Sequence, residues 1–172
     1  MLSQKSVDEV MPSLRVLLVD DEHYMRKVIR SLLMTIGIKN IFEANDGPRG
    51  LEAVRTLTPD IVFLDWNMPG MTGSQFVKVV RSPDTFPYAH VPIVMLTGNS
   101  DRSIVVEAVR LGVNEFLLKP VSSEALRARV LSILTNPRKM VRRGDYYGPE
   151  PRRMSTYKPE NDPGHQNIVL VS

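Results

Sequence analysis

The run Ile61-Val62-Phe63-Leu64 stops at Asp65, and Trp66-Asn67-Met68-Pro69-Gly70 then turns the chain. Four β-capable apolar residues ahead of a Pro-Gly turn predict a buried strand with Asp65 at its end. Val16-Leu17-Leu18-Val19 stops the same way, in Asp20-Asp21-Glu22. In an open α/β sheet the carboxyl ends of the strands are where ligands bind, so neighbouring strands of this kind would bring their acids together. Two carboxylates about 4 Å apart repel by roughly 4 kcal/mol at intermediate dielectric, a cost that a bound cation removes. An all-oxygen donor set suits a hard ion such as Mg²⁺. Asp20 or Asp21 could instead cap the helix that follows. A cap, however, does not account for Asp65.

The elements that must hold these residues follow from hydrophobic period and stop signals. Met25, Val28, Ile29, Leu32, Leu33 and Ile36 recur at helical spacing up to Gly37. Asn40 to Ala44 reads as a short strand, and Asp46-Gly47-Pro48 opens a helix that ends at Thr58-Pro59. Gly73 to Arg81 predicts a helix, and Ile93-Val94-Met95-Leu96 a strand ending in Thr97-Gly98. Asp101 caps a helix closed by Gly112, and Ser122 caps another carrying Leu126, Val130, Ile133 and Leu134. Between them Glu115 to Leu118 forms a strand ending in Lys119-Pro120. Five strands alternating with five helices predict an α/β, doubly wound parallel sheet covered on both faces.

Composition narrows the function classes. The 172 residues are 42% hydrophobic and 24% charged, as expected for one globular domain. No apolar run reaches the roughly 20 residues needed to cross a bilayer, Met1 to Pro12 lacks a signal-peptide core, and cysteine is absent. These features predict a cytoplasmic protein without disulfides and without a membrane partner. Residues 1–135 carry 15 basic and 15 acidic side chains, so the net charge of +3 comes wholly from residues 136–172.

Val-Asp-Asp, Asp-Trp-Asn-Met-Pro-Gly, Thr-Gly and Lys-Pro occur in this order at the ends of every predicted strand but the second. The set resembles the receiver domain of two-component response regulators, of the single-domain, CheY-like chemotaxis type, over about residues 14–135. The resemblance implies the strand order 2-1-3-4-5. It implies that Asp65 accepts a phosphoryl group from a sensor histidine kinase, a histidine phosphotransfer protein or a small phosphodonor. It further implies that Asp20, Asp21, Asp65 and the backbone carbonyl of Asn67 hold Mg²⁺, and that Lys119, after a cis peptide bond to Pro120, pairs with a phosphate oxygen. Thr97 would donate to the phosphoryl group, Gly98 would leave room for it, and Phe116 would move with Thr97 as a switch. Output would run through the fourth helix, fifth strand and fifth helix to an unnamed protein or a second copy. The domain would catalyse only its own phosphorylation and dephosphorylation.

Rival readings fail on particular residues. A Mg²⁺-dependent phosphohydrolase of the haloacid dehalogenase type needs a second Asp two residues after the nucleophile, where this chain has Asn67. A flavodoxin-like electron carrier needs a phosphate loop where Asp20-Asp21-Glu22 would repel phosphate. The stretch after Thr135 has no long apolar periodicity, so no DNA-binding helix-turn-helix output and no direct DNA contact are expected. Residues 1–13 read as a frayed extension. The basic tail 136–172, rich in Pro and Gly, reads as extended or disordered. Within it Arg142, Arg143, Arg152 and Arg153 flank Tyr146 and Tyr147, a set suited to docking on a protein, its own or another, or to a nucleotide- or anion-binding adaptor role.

Overall fold

A computed structural model describes residues 4–152 of the chain. The five apolar runs form β1 (Arg15–Val19), β2 (Asn40–Ala44), β3 (Ile61–Asp65), β4 (Ile93–Thr97) and β5 (Glu115–Leu118). They pair in parallel in the order β2-β1-β3-β4-β5, as expected. Val16 to Val19 and Ile61 to Leu64 are fully buried, because helices cover both faces of the sheet. That double burial is why these strands read as continuous apolar runs instead of alternating ones.

Six helices are present among the described residues, α1 (Gln4–Val10), α2 (His23–Thr35), α3 (Gly47–Leu57), α4 (Gly73–Val80), α5 (Arg102–Leu111) and α6 (Ser123–Thr135). Leu17, Val19, Val62, Leu64 and Met95 point into a core closed by α3, α4 and α5. Val16, Leu18, Ile61, Phe63 and Val94 point into the other, closed by α1, α2 and α6. Asp46, Asp101 and Ser122 cap α3, α5 and α6 through their side chains, as the sequence predicts. Thr72 adds a capping box with Gln75 at α4.

Two expectations need correction. Residues 4–13 are not frayed: α1 and a short 3-10 turn at Met11–Ser13 bury Val7 and Met11 against the α2–α6 side of the sheet. Val7, Val10 and Met11 lie at helical spacing, so the segment carries an apolar stripe that the open end of that core can take up.

Nor is the described start of the tail extended or disordered. Met140–Arg143 (β6) and Tyr146–Pro149 (β7) form an antiparallel hairpin. Its two-residue turn is Gly144-Asp145, with Gly144 at φ 58°. A positive φ at the first turn residue only is the arrangement whose twist suits paired strands, and glycine adopts it without strain. The hairpin docks because Gly148 lies against Gly112, where a Cβ on Gly148 would come within 2.8 Å of the Gly112 Cα. Arg153 and the apolar Ile168-Val169-Leu170-Val171 fall outside the described residues.

Candidate functional site

Sheet hydrogen bonds continue one residue past the strands and fix the rim. Asp20 N–H donates to Ala44 O (3.1 Å), Trp66 N–H to Leu96 O (2.9 Å) and Lys119 N–H to Thr97 O (2.8 Å). Strand order then puts the ends of β1 and β3 side by side. One carboxylate oxygen each from Asp20, Asp21 and Asp65 lies within 4.8 Å of the others. The Lys119 ammonium, following the cis peptide to Pro120, reaches Asp65 Oδ1 at 3.0 Å and Asp20 Oδ2 at 3.4 Å. Asp20 and Asp65 are buried, while Asp21 is half-buried.

This is a site with more negative charge than one lysine balances. Burial pushes the Asp65 carboxyl up to about 6; Lys119 pulls it down, and Asp20 and Asp21 push it up again. Burial lowers Lys119, but Asp65 and Asp20 outweigh it and the net shift is upward. Asp21 Oδ1 is buried without a protein hydrogen-bond partner. A buried anionic oxygen left unpaired beside two further carboxylates matches what a hard cation needs, so these residues fit Mg²⁺. Neither Asp20 nor Asp21 caps α2. Glu22 holds that position, and Asp20 Oδ1 accepts from Glu22 N–H at 2.9 Å.

The surrounding predicted residues take different places. Asn67 is exposed just beyond β3, and Gly98 is exposed just beyond β4. Thr97 is fully buried, and its hydroxyl accepts from Asn99 N–H at 3.1 Å. Phe116 is buried in the core closed by α3, α4 and α5, with Met95 and Val105 in the same cluster. Phe116, expected to move with Thr97 as a switch, thus lies inward. Arg26, one turn into α2, was not singled out by the sequence; its guanidinium donates to Asp20 O at 2.8 Å and lies 3.6 Å from Glu43.

The described tail residues do not converge on this site or on a common anion pocket. Arg142 forms a fork on Asp84 (2.6 and 3.2 Å), Arg143 reaches Glu150 (3.5 Å), and Arg152 pairs with Glu115. Tyr146 OH donates to Pro149 O at 2.7 Å, and Tyr147 lies opposite Arg142 in the hairpin.

A family model for the response regulator receiver domain matches residues 16–131. The chain belongs to the response regulator receiver family. The receiver is 35% identical over 120 residues to the chemotaxis protein CheY of Pseudomonas aeruginosa, covering 70% of this chain and 95% of that one. It is 34% identical to CheY-3 of Vibrio cholerae, covering 69% of this chain and 89% of that one. Among solved structures, it resembles CheY4 of Vibrio cholerae at TM-score 0.60 and 32% identity, over 71% of this chain and 96% of that one. A putative response regulator from Chloroflexus aurantiacus superposes at TM-score 0.66 and 28% identity, over 72% of this chain and 98% of that one. It is thus a CheY-like receiver of two-component signalling. Both α1 and the hairpin lie outside the residues that the family model matches.

Proposed function

We propose that this receiver is the phosphoacceptor switch of a single-receiver response regulator, and that Asp65 is the residue modified. The observation that carries the reading is the meeting of Asp20, Asp21 and Asp65 with Lys119 at the ends of three parallel strands. A sensor histidine kinase, a histidine phosphotransfer protein or a small acyl phosphate would be the donor. One Asp65 oxygen attacks phosphorus, the bond from phosphorus to the donor's nitrogen or oxygen breaks, and the electron pair leaves with the donor. The carboxylate is ionised near neutral pH and needs no general base.

Asp21, Asp65, the Asn67 backbone carbonyl and, through water, Asp20 would hold Mg²⁺. When bound, the ion neutralises charge on the transferring group and on the carboxylates around it. Lys119 keeps Asp65 Oδ1 in place before transfer and supplies a cation for the phosphoryl oxygens after it. The Thr97 hydroxyl, now turned to Asn99, is the donor that can turn toward a phosphoryl group, into the space that Gly98 leaves beside it. The signal would leave by protein contact through α5, β5 and α6, to a partner protein or a second copy. The cytoplasm, where such kinases present their phosphohistidine, is the proposed location, and no helix among the described residues is long and apolar enough to cross a membrane.

Trp66 is the single tryptophan and neighbours Asp65, so its fluorescence reports the site. Adding Mg²⁺ and then beryllofluoride, a phosphoryl mimic, should change the emission in two saturable steps. Asp65→Asn should abolish the second step. A beryllofluoride response that survives Asp65→Asn contradicts the assignment.

A further inference from the structure

The hairpin sits at the end of the sheet away from the carboxylates, on elements that run the whole length of the domain to reach them. β5 begins at Glu115, which Arg152 and Ser132 hold through its carboxylate. Four residues on, the same chain delivers Lys119 to Asp65. α5 begins just after the Thr97 loop and ends at Gly112, whose face is packed against Gly148 and Tyr147 of the hairpin. Arg138 donates to Asn114 O, in the link between α5 and β5. Arg142 clips the outer strand to Asp84 ahead of β4.

Each of these contacts is fitted to one position of α5 and β5. Gly112 and Gly148 meet through backbone, without side chains that could re-pack after a shift. An isolated two-stranded hairpin is marginally stable in water, so this one keeps its shape through docking. The exposed ion pairs at its edge add little to that hold. α5 and β5 thus join the rim that carries Thr97 and Lys119 to the residues that the hairpin and its flanks hold.

We propose that the segment 138–152, the hairpin Met140–Pro149 with Arg138 and Arg152 at its flanks, is an intramolecular clasp over the far ends of α5, β5 and α6, held in the unphosphorylated protein and loosened by phosphorylation of Asp65. The occupant of this end of the output face is then a segment of the same chain. A partner gains the ends of α5 and α6 and the start of β5 only when the hairpin lifts. The relative from Pseudomonas aeruginosa is 95% covered by the matched 120 residues, which leaves almost nothing in it to correspond to this hairpin. The inference rests on the reading of Asp65 as the phosphoacceptor. Linkage makes it reciprocal: whatever factor the phosphoryl mimic takes from docking, removal of docking must return to mimic affinity.

Hydrogen exchange of the full chain, read on peptides covering residues 138–150, tests the clasp with and without Mg²⁺ and beryllofluoride, while Trp66 emission reports occupancy of the site. With the site occupied, the hairpin amides should exchange at least about fivefold faster, the low end of common coupling. Gly148→Ala, which drives a methyl into Gly112, should tighten beryllofluoride binding by a similar factor. Unchanged or slower hairpin exchange at full occupancy overturns the clasp and leaves the phosphoacceptor reading standing. So does Gly148→Ala binding the mimic no more tightly than wild type while its hairpin amides are unprotected. Absence of any beryllofluoride response at Trp66 overturns both.

Discussion

Asp65 is held against its own charge. Burial raises its folded pKa from 3.8 to about 6 in spite of Lys119, so the folded chain binds this proton more tightly than the unfolded chain. The resulting stability is complete below about 3.8 and is lost as pH rises through about 6. In a chelator, wild type should therefore lose stability across this window relative to Asp65→Asn. At neutral pH the Asn variant should be the more stable, by on the order of 1–2 kcal/mol once solvent screening is discounted from the roughly 3 kcal/mol that the shift alone gives. Denaturant titrations at several pH values measure it, and parallel curves for the two proteins would contradict it. Mg²⁺ should narrow the gap, because the ion gains the Asp65 carboxylate as a further ligand only in the wild type. The rim positions of Asp20, Asp65, Thr97 and Lys119 were legible in the sequence because each ends or directly follows an apolar run, and Asp21 stands next to Asp20. Arg26 was not, since an arginine on an amphipathic helix carries no mark of the carbonyl it will reach.

The strands and the caps of α3, α5 and α6 were equally legible, their signals being local. The hairpin was hidden by its composition. Pro137, Gly144, Gly148, Pro149 and Pro151 read as breakers, yet Gly144 is the turn and Gly148 is the point of closest approach to α5. The two-residue Gly-Asp spacing between Val141-Arg142-Arg143 and Tyr146-Tyr147 was the signal that could have found it. Beneath the hairpin, Arg81 is buried at the end of α4 and donates to Gly112 O (2.8 Å), Ala89 O (2.5 Å) and Asn114 Oδ1 (2.8 Å). Burial lowers its pKa to about 10, with Tyr146 and Tyr147 acting the other way, so it remains a cation at neutral pH. One guanidinium thus ties α4, the loop before β4, the end of α5 and the link to β5. A lysine has no fork with which to meet three acceptors. Arg81→Lys should cost on the order of 2–4 kcal/mol in urea denaturation, and a loss below about 0.5 kcal/mol, ordinary for a surface site, would show that the fork contributes nothing.

Across the whole molecule, chemistry and additions occupy opposite ends of one sheet. The carboxylates and Lys119 lie at the strand C-termini. The hairpin closes over the other end of β4 and β5, while α1 closes over the core between α2 and α6 and pairs Asp8 with Arg127 (2.6 Å). The parallel order could be carried over from family resemblance, but α1 and the hairpin could not, because the resemblance stops at the domain they pack against. Such a division lets the embellished end differ while the reacting end is kept. Phosphorylation of Asp65 is covalent, and mass measurement of the intact chain after incubation with Mg²⁺ and acetyl phosphate detects it. One phosphoryl group per chain is expected, acid-stable but lost in hydroxylamine, mapped to Asp65 and absent from Asp65→Asn. A phosphoryl group on another residue, or one retained by Asp65→Asn, would contradict it.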